Sequence, residues 1–142
     1  MATLLLIDDD ILIRDILYDL LSVAHECHTA DRAEQALEYL EIETYDVVLT
    51  DITMPGLGGL EILNRIKERH PNTPVIVISG TTQQHADALI EMGAFAYFAK
   101  PFHLEEIEDA VNRAIAHHAQ LLEAERPRVQ TSTASGSPPD ES

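Results

Sequence analysis

The chain has 142 residues and carries Asp and Glu at 25 positions against Lys and Arg at 9, a formal net charge of −16. That length suffices for one domain with a proper core, and that charge argues against nucleic acid as a direct ligand, since DNA affinity rests on neutralising phosphates with basic side chains. Anionic membranes are disfavoured for the same reason, no apolar run is long enough to span a bilayer, and the lone Cys27 cannot form an internal disulfide, which suits a reducing cytoplasm.

Thr3–Ile7 predicts a strand that begins almost at the N-terminus, with no signal peptide before it. Ile11–Val23 predicts a helix with Ile13, Ile16, Leu17, Leu20 and Leu21 on its inner face, and Asp10 stands at the N-cap position. A short strand, Glu26–Thr29, leads to a helix over Arg32–Ile42 with Ala33, Ala36, Leu37 and Leu40 inward. Asp46–Thr50 is the third strand. Gly58–His70 follows as a helix with Leu60, Leu63 and Ile66 inward, closed by Pro71. Pro74–Ser79 is the fourth strand, Gln83–Met92 a helix stopped by Gly93, and Phe95–Ala99 the fifth strand. The last helix starts at His103, and Ile107, Val111, Ala114, His118, Leu121 and Glu125 extend a heptad-like spacing along it. That extension is either an overlong, fraying helix or a surface for pairing. Ser, Thr, Pro and Gly dominate the end of the chain, so 1–125 is expected to be the folded domain and 126–142 a disordered tail.

Strands with continuous apolar runs are buried on both faces, as in parallel sheets covered by helices. The alternation therefore predicts an α/β fold, a three-layer (βα)5 doubly wound parallel sheet. Sites in such sheets lie at the carboxyl ends of the strands. Asp8, Asp9, Asp51, Ser79 and Lys100 all fall at or just past those ends.

Two carboxylates about 4 Å apart repel by roughly 4 kcal/mol at an effective dielectric near 20. Converging acids therefore need compensation, and Lys100 supplies one positive charge. Mg2+, for which Mn2+ could substitute, is a hard ion that accepts one or two carboxylates and shares its other positions with water and phosphate oxygens. Asp10 is explained as a helix cap; Asp8 and Asp9 are not. Asp51 is the candidate nucleophile toward a phosphoryl group. The metal would bridge Asp9, Asp51 and a phosphoryl oxygen, and Lys100 would pair with a second. Ser79 offers a hydroxyl to a third, and Gly80 leaves space for a donor. Taken alone, Ser79 reads as an ordinary residue of a strand-end turn.

Ile7-Asp8-Asp9-Asp10, Thr50-Asp51-Ile52-Thr53-Met54-Pro55-Gly56, Ile78-Ser79-Gly80 and Tyr97-Phe98-Ala99-Lys100-Pro101-Phe102 occur in that order at successive strand ends. Over roughly Thr3 to Glu123 the chain resembles the receiver domain of bacterial two-component response regulators. The resemblance implies a flavodoxin-like strand order 2-1-3-4-5. It implies that Asp51 accepts phosphate from a phosphohistidine on a sensor kinase or phosphotransfer protein. Asp9 would bind the metal directly, Asp8 through water, and Thr53 through its backbone carbonyl. Lys100 would hold the phosphoryl group, with a cis bond to Pro101. Ser79 and Tyr97 would be the switch pair, altering the surface of the fourth helix, fifth strand and fifth helix toward a partner protein. A homodimer would form through that surface or the extended last helix. Thr53 and Thr81 occupy positions that tune phosphate lifetime. Such a protein is a cytoplasmic phosphoacceptor rather than an enzyme, either a stand-alone receiver or a fragment of a larger regulator whose output domain is missing.

Other readings are weaker. An aspartate-nucleophile phosphatase needs a second Asp where Thr53 stands. A dinucleotide enzyme needs a glycine-rich turn where Asp8-Asp9-Asp10 stands. His25, Cys27 and His28 do not converge as zinc ligands if that segment is a strand, and His117 and His118 point apart on a helix.

Overall fold

The computed structural model describes residues 2–51, 59–80 and 86–124. The expectations for Thr53, Thr81, the side chain of Leu60 and the tail 126–142 lie outside the described residues. Apolar runs form β1 (Thr3–Ile7), β2 (Glu26–Ala30), β3 (Val47–Thr50), β4 (Val75–Ser79) and β5 (Ala96–Ala99). Between and after them lie α1 (Ile11–Leu21), α2 (Ala33–Ile42), α3 (Gly59–Arg69), α4 (Ala86–Glu91) and α5 (Leu104–Ala124). The strands pair in parallel in the order β2-β1-β3-β4-β5, the order expected.

Strand alternation sorts the core into two layers. Leu5, Ile7, Val48, Val75 and Val77 face α2, α3 and α4 and meet Ala33, Ala36, Leu40, Ile62, Leu63, Ile66 and Leu89. Leu4, Leu6, Val47, Leu49, Ile76 and Ile78 face α1 and α5 and meet Leu17, Leu21, Ile107, Ala110, Val111 and Ala114. Burying such a side chain fully is worth about 1.5–3 kcal/mol against leaving it in water. These two layers hold the strand ends in fixed register.

The described element ends lie within a residue or two of the expected ones, and the expected start of the fourth helix at Gln83 lies outside the described residues. One side chain differs in kind: Ile16, expected inward on α1, is 44 % exposed. The buried stripe is narrow, with Leu17 and Leu21 at its centre and Ile13 and Leu20 half-buried. At 100° per residue Ile16 stands roughly 120° round from the midpoint of Leu17 and Leu21. Asp10 caps α1 as expected, its Oδ1 accepting from the Leu12 N–H at 2.9 Å.

Along α5 the buried line runs Ile107, Ala110, Val111, Ala114 and His118, and ends there. His118 is only 5 % exposed. Its Nδ1 lies 3.1 Å from Asp46 Oδ1, while Asp46 Oδ2 accepts from the Thr3 N–H at 2.8 Å. The carboxylate before β3 thus ties α5 to the start of β1.

Candidate functional site

The parallel ladder continues one residue beyond several strand ends, and those residues carry the chemistry. Asp8 N–H donates to the Ala30 carbonyl at 3.1 Å, Asp51 N–H to the Ile7 carbonyl at 3.0 Å, and Lys100 N–H to the Ser79 carbonyl at 2.9 Å. Each backbone is therefore pinned by a neighbouring strand before its side chain does anything. The Lys100–Pro101 peptide bond is cis.

The side chains converge. Lys100 Nζ lies 3.0 Å from Asp8 Oδ2 and 3.2 Å from Asp51 Oδ2. Asp8 and Asp51 are 2 % and 3 % exposed. Asp9 is exposed, yet one carboxylate oxygen from each of Asp8, Asp9 and Asp51 lies within 4.8 Å of the others. Asp8 is anchored twice more: its Oδ1 accepts from the Asp10 N–H at 2.9 Å, and its carbonyl accepts from Arg14 Nη1 at 2.7 Å. Thr50 Oγ1 donates to the Asp51 carbonyl at 2.9 Å, which fixes the backbone at the end of β3.

Two charges in this cluster respond in opposite senses to their surroundings. Burial pushes the Asp8 carboxyl above its usual range; the Asp10 N–H and Lys100 pull it back only in part, and Asp51 adds repulsion. Burial also works against the Lys100 ammonium, but hydrogen bonds and attraction from Asp8 and Asp51 outweigh it and raise its pKa. One ammonium serves two carboxylates. Three carboxylates and one ammonium leave two formal negative charges on the rim, which a divalent cation would cancel. All-oxygen donors suit a hard ion such as Mg2+, which keeps several waters and does not need the carboxylates to close fully around it.

Ser79, the last residue of β4, is fully buried beside this rim. A Cβ built on Gly80 would meet no atom within 4 Å among the described residues, which leaves room beside Ser79 there. Tyr97 is half-buried on β5 against the α2–α3–α4 side of the core, paired in register with Val77. Two features of the structure were not read from sequence: the brace from Arg14 to Asp8, and a cluster of Glu26, His28 and Glu43 away from this rim. The first needs the turn of α1 back over β1. The second was visible only in part, because alternation along β2 puts Glu26 and His28 on one face but says nothing of Glu43.

A family model described as the response regulator receiver domain matches residues 4–112. The DNA-binding transcriptional regulator NtrC of Klebsiella pneumoniae is 38% identical over 133 residues, covering 91% of this chain and 28% of that protein. NtrC of Escherichia coli (strain K12) is 42% identical over 118 residues, covering 80% of this chain and 25% of its own length. The chain thus spans about a quarter of the length of the curated relatives it matches. Among solved structures, a response regulator receiver domain protein from Clostridium thermocellum superposes with a TM-score of 0.79 at 34% identity, over 85% of this chain and 99% of that one.

Proposed function

The chain belongs to the response regulator receiver domain family, and from that premise we propose that it is a signalling switch whose phosphoryl acceptor is Asp51. The observation that carries this reading is the convergence of Lys100 Nζ on Asp8 and Asp51 at 3.0 and 3.2 Å, beside a third carboxylate. An Asp51 carboxylate oxygen attacks the phosphorus of a phosphohistidine on a sensor kinase or phosphotransfer protein. A P–O bond forms, the P–N bond breaks, and its electron pair stays on the imidazole. Such transfer needs mainly positioning and charge neutralisation. Asp8, Asp9, Asp51 and the Thr53 carbonyl would hold Mg2+ or Mn2+, which when bound neutralises charge on the phosphoryl oxygens. Lys100 pairs with one of those oxygens as a point charge. Ser79 and the open edge at Gly80 serve another.

The phosphoryl group adds up to about one negative charge and three acceptor oxygens at Asp51. Ser79 shifts toward it, and Tyr97 turns inward behind it. The surface of α4, β5 and α5 changes toward a protein partner, or toward a second copy through that face or the extended α5. Phosphate biases the two states only by the contacts that differ between them. The chain itself contacts no nucleic acid and acts in the cytoplasm, and the same switch serves a receiver within a longer regulator. With Tyr97→Ala, phosphorylation proceeds but partner or dimer affinity no longer rises on phosphorylation; a retained rise removes Tyr97 from the switch.

The deciding experiment is intact-mass measurement after incubation with a small acyl phosphate. One phosphoryl group is gained only with Mg2+, and none in Asp51→Asn. Uptake that persists in Asp51→Asn overturns the assignment.

A further inference from the structure

The residues on the outer edge of the sheet hold a second constellation that phosphoryl chemistry does not use. We propose that Glu26, His28 and Glu43 form a binding site for a transition metal ion of the zinc class, separate from the acidic rim. β2 is an edge strand, and its alternation puts Glu26 and His28 on one face. Glu43 ends α2 in extended conformation, which turns its side chain toward that face. His28 Nε2 lies 2.8 Å from Glu26 Oε2, and His28 Nδ1 lies 3.3 Å from Glu43 Oε1. One ligand atom from each of the three lies within 4.8 Å of the others.

The imidazole is held in place from behind. Tyr45 is buried, and its Oη is 2.8 Å from His28 Nδ1. The two rings meet edge to face at 5.4 Å, and the Tyr39 ring stands edge-on to the imidazole at 6.5 Å. Nδ1 faces the phenol and Glu43, so Nε2, beside Glu26, is the nitrogen for a metal, and Glu43 joins it by swinging over from its place beside Nδ1. A hydrogen bond on the far nitrogen is the usual device for fixing a ligand histidine. Ligands around tetrahedral zinc stand about 3.4 Å apart, given bonds of about 2.0–2.2 Å. Both glutamates are exposed, so a side-chain rotation brings them to that spacing. One imidazole nitrogen and two carboxylate oxygens suit Zn2+, Co2+ or Ni2+, whereas Mg2+ prefers oxygen alone.

The position separates this site from Asp51. Glu26 opens β2, and Glu43 and Tyr45 precede β3, so the cluster lies toward the amino ends of the strands. Asp8, Asp51 and Lys100 lie past the carboxyl ends. Metal here would tie the α2–β3 connection to an edge strand without touching the phosphoryl acceptor.

The test is calorimetric titration of the full chain with ZnCl2 under saturating Mg2+, with the histidine ring protons followed by NMR. One zinc per chain is expected, with the His28 ring resonances moving. Glu43→Gln, a surface change that leaves the fold intact by circular dichroism, weakens binding at least about tenfold, as does His28→Gln. Asp51→Asn binds zinc as the unaltered chain does, and Glu43→Gln takes up phosphate normally. No saturable zinc uptake, uptake undiminished in His28→Gln or Glu43→Gln, or uptake lost in Asp51→Asn would each overturn the proposal.

Discussion

Asp8 shows how a single side chain can be costly to the fold and necessary to the site. It is almost wholly buried beside Asp51, and Lys100 at 3.0 Å offsets only part of that cost. Because burial first, and Asp51 after it, raise its pKa above the unfolded value near 3.8, the native state binds that proton more readily than the unfolded chain does. Between those two values, stability from this group therefore falls as pH rises, and the full penalty stands above the raised value. Lys100 has the opposite window. Its raised pKa contributes stability that is fully present below 10.5 and lost as pH climbs through the higher folded value. Without Mg2+, Asp8→Asn is expected to melt no lower than the unaltered protein at pH 7, while losing Mg2+ affinity. The difference between the two should shrink, then reverse or vanish, as pH is lowered through the raised value. Thermal melts from pH 3 to 8 with chelator measure it. A variant that melts well below the parent at pH 7 would show that the Lys100 pairing outweighs desolvation.

At the scale of elements, the short α4 depends on how it ends. Gly93 has φ +109°, the left-handed conformation that closes a helix, with Gly93 N–H donating to the Ile90 carbonyl and Ala94 N–H to the Leu89 carbonyl at 3.0 Å each. A Cβ there would also stand 2.9 Å from Lys67 Cε. Lys67 is flexible and can shift, but the dihedral cannot, so Gly93→Ala should cost about 1 kcal/mol. Gly80→Ala meets open space and should stay within about 0.5 kcal/mol. Urea midpoints at constant m distinguish the two; equal losses would remove the backbone argument. Gly93 was legible as a stop because the apolar period of α4 ends one residue before it. The strands were legible because continuous apolar runs have few alternatives in a chain of alternating elements. What sequence could not supply were contacts made across elements. His118 read as a heptad position on α5, and only the packed sheet shows it buried against Asp46. Ile16 was placed inward by period alone, because the width of the stripe depends on how α1 sits against the sheet.

At the scale of the whole molecule, the rim residues were legible as a set because parallel strands bring their carboxyl ends to one edge. The Glu26–His28–Glu43 cluster was not, since Glu43 reaches β2 only through the end of α2. Net charge separates two effects that Mg2+ has at once. With a formal −16, any added salt relieves general repulsion, and that relief follows ionic strength. Binding at Asp8, Asp9 and Asp51 instead follows the occupancy of one site and stabilises only the folded chain. At about a hundredfold excess over its dissociation constant, the ion adds roughly 2.7 kcal/mol, a rise in melting temperature on the order of 10 °C for a domain of this size. NaCl at matched ionic strength should give only a fraction of that rise. In Asp9→Asn or Asp51→Asn the Mg2+ increment should collapse to the NaCl value, because each removes a donor without changing the general field by more than one charge. If NaCl reproduced the Mg2+ curve, or if those variants kept the full increment, the stabilisation would belong to diffuse screening, and the rim would be an acidic surface without a bound ion.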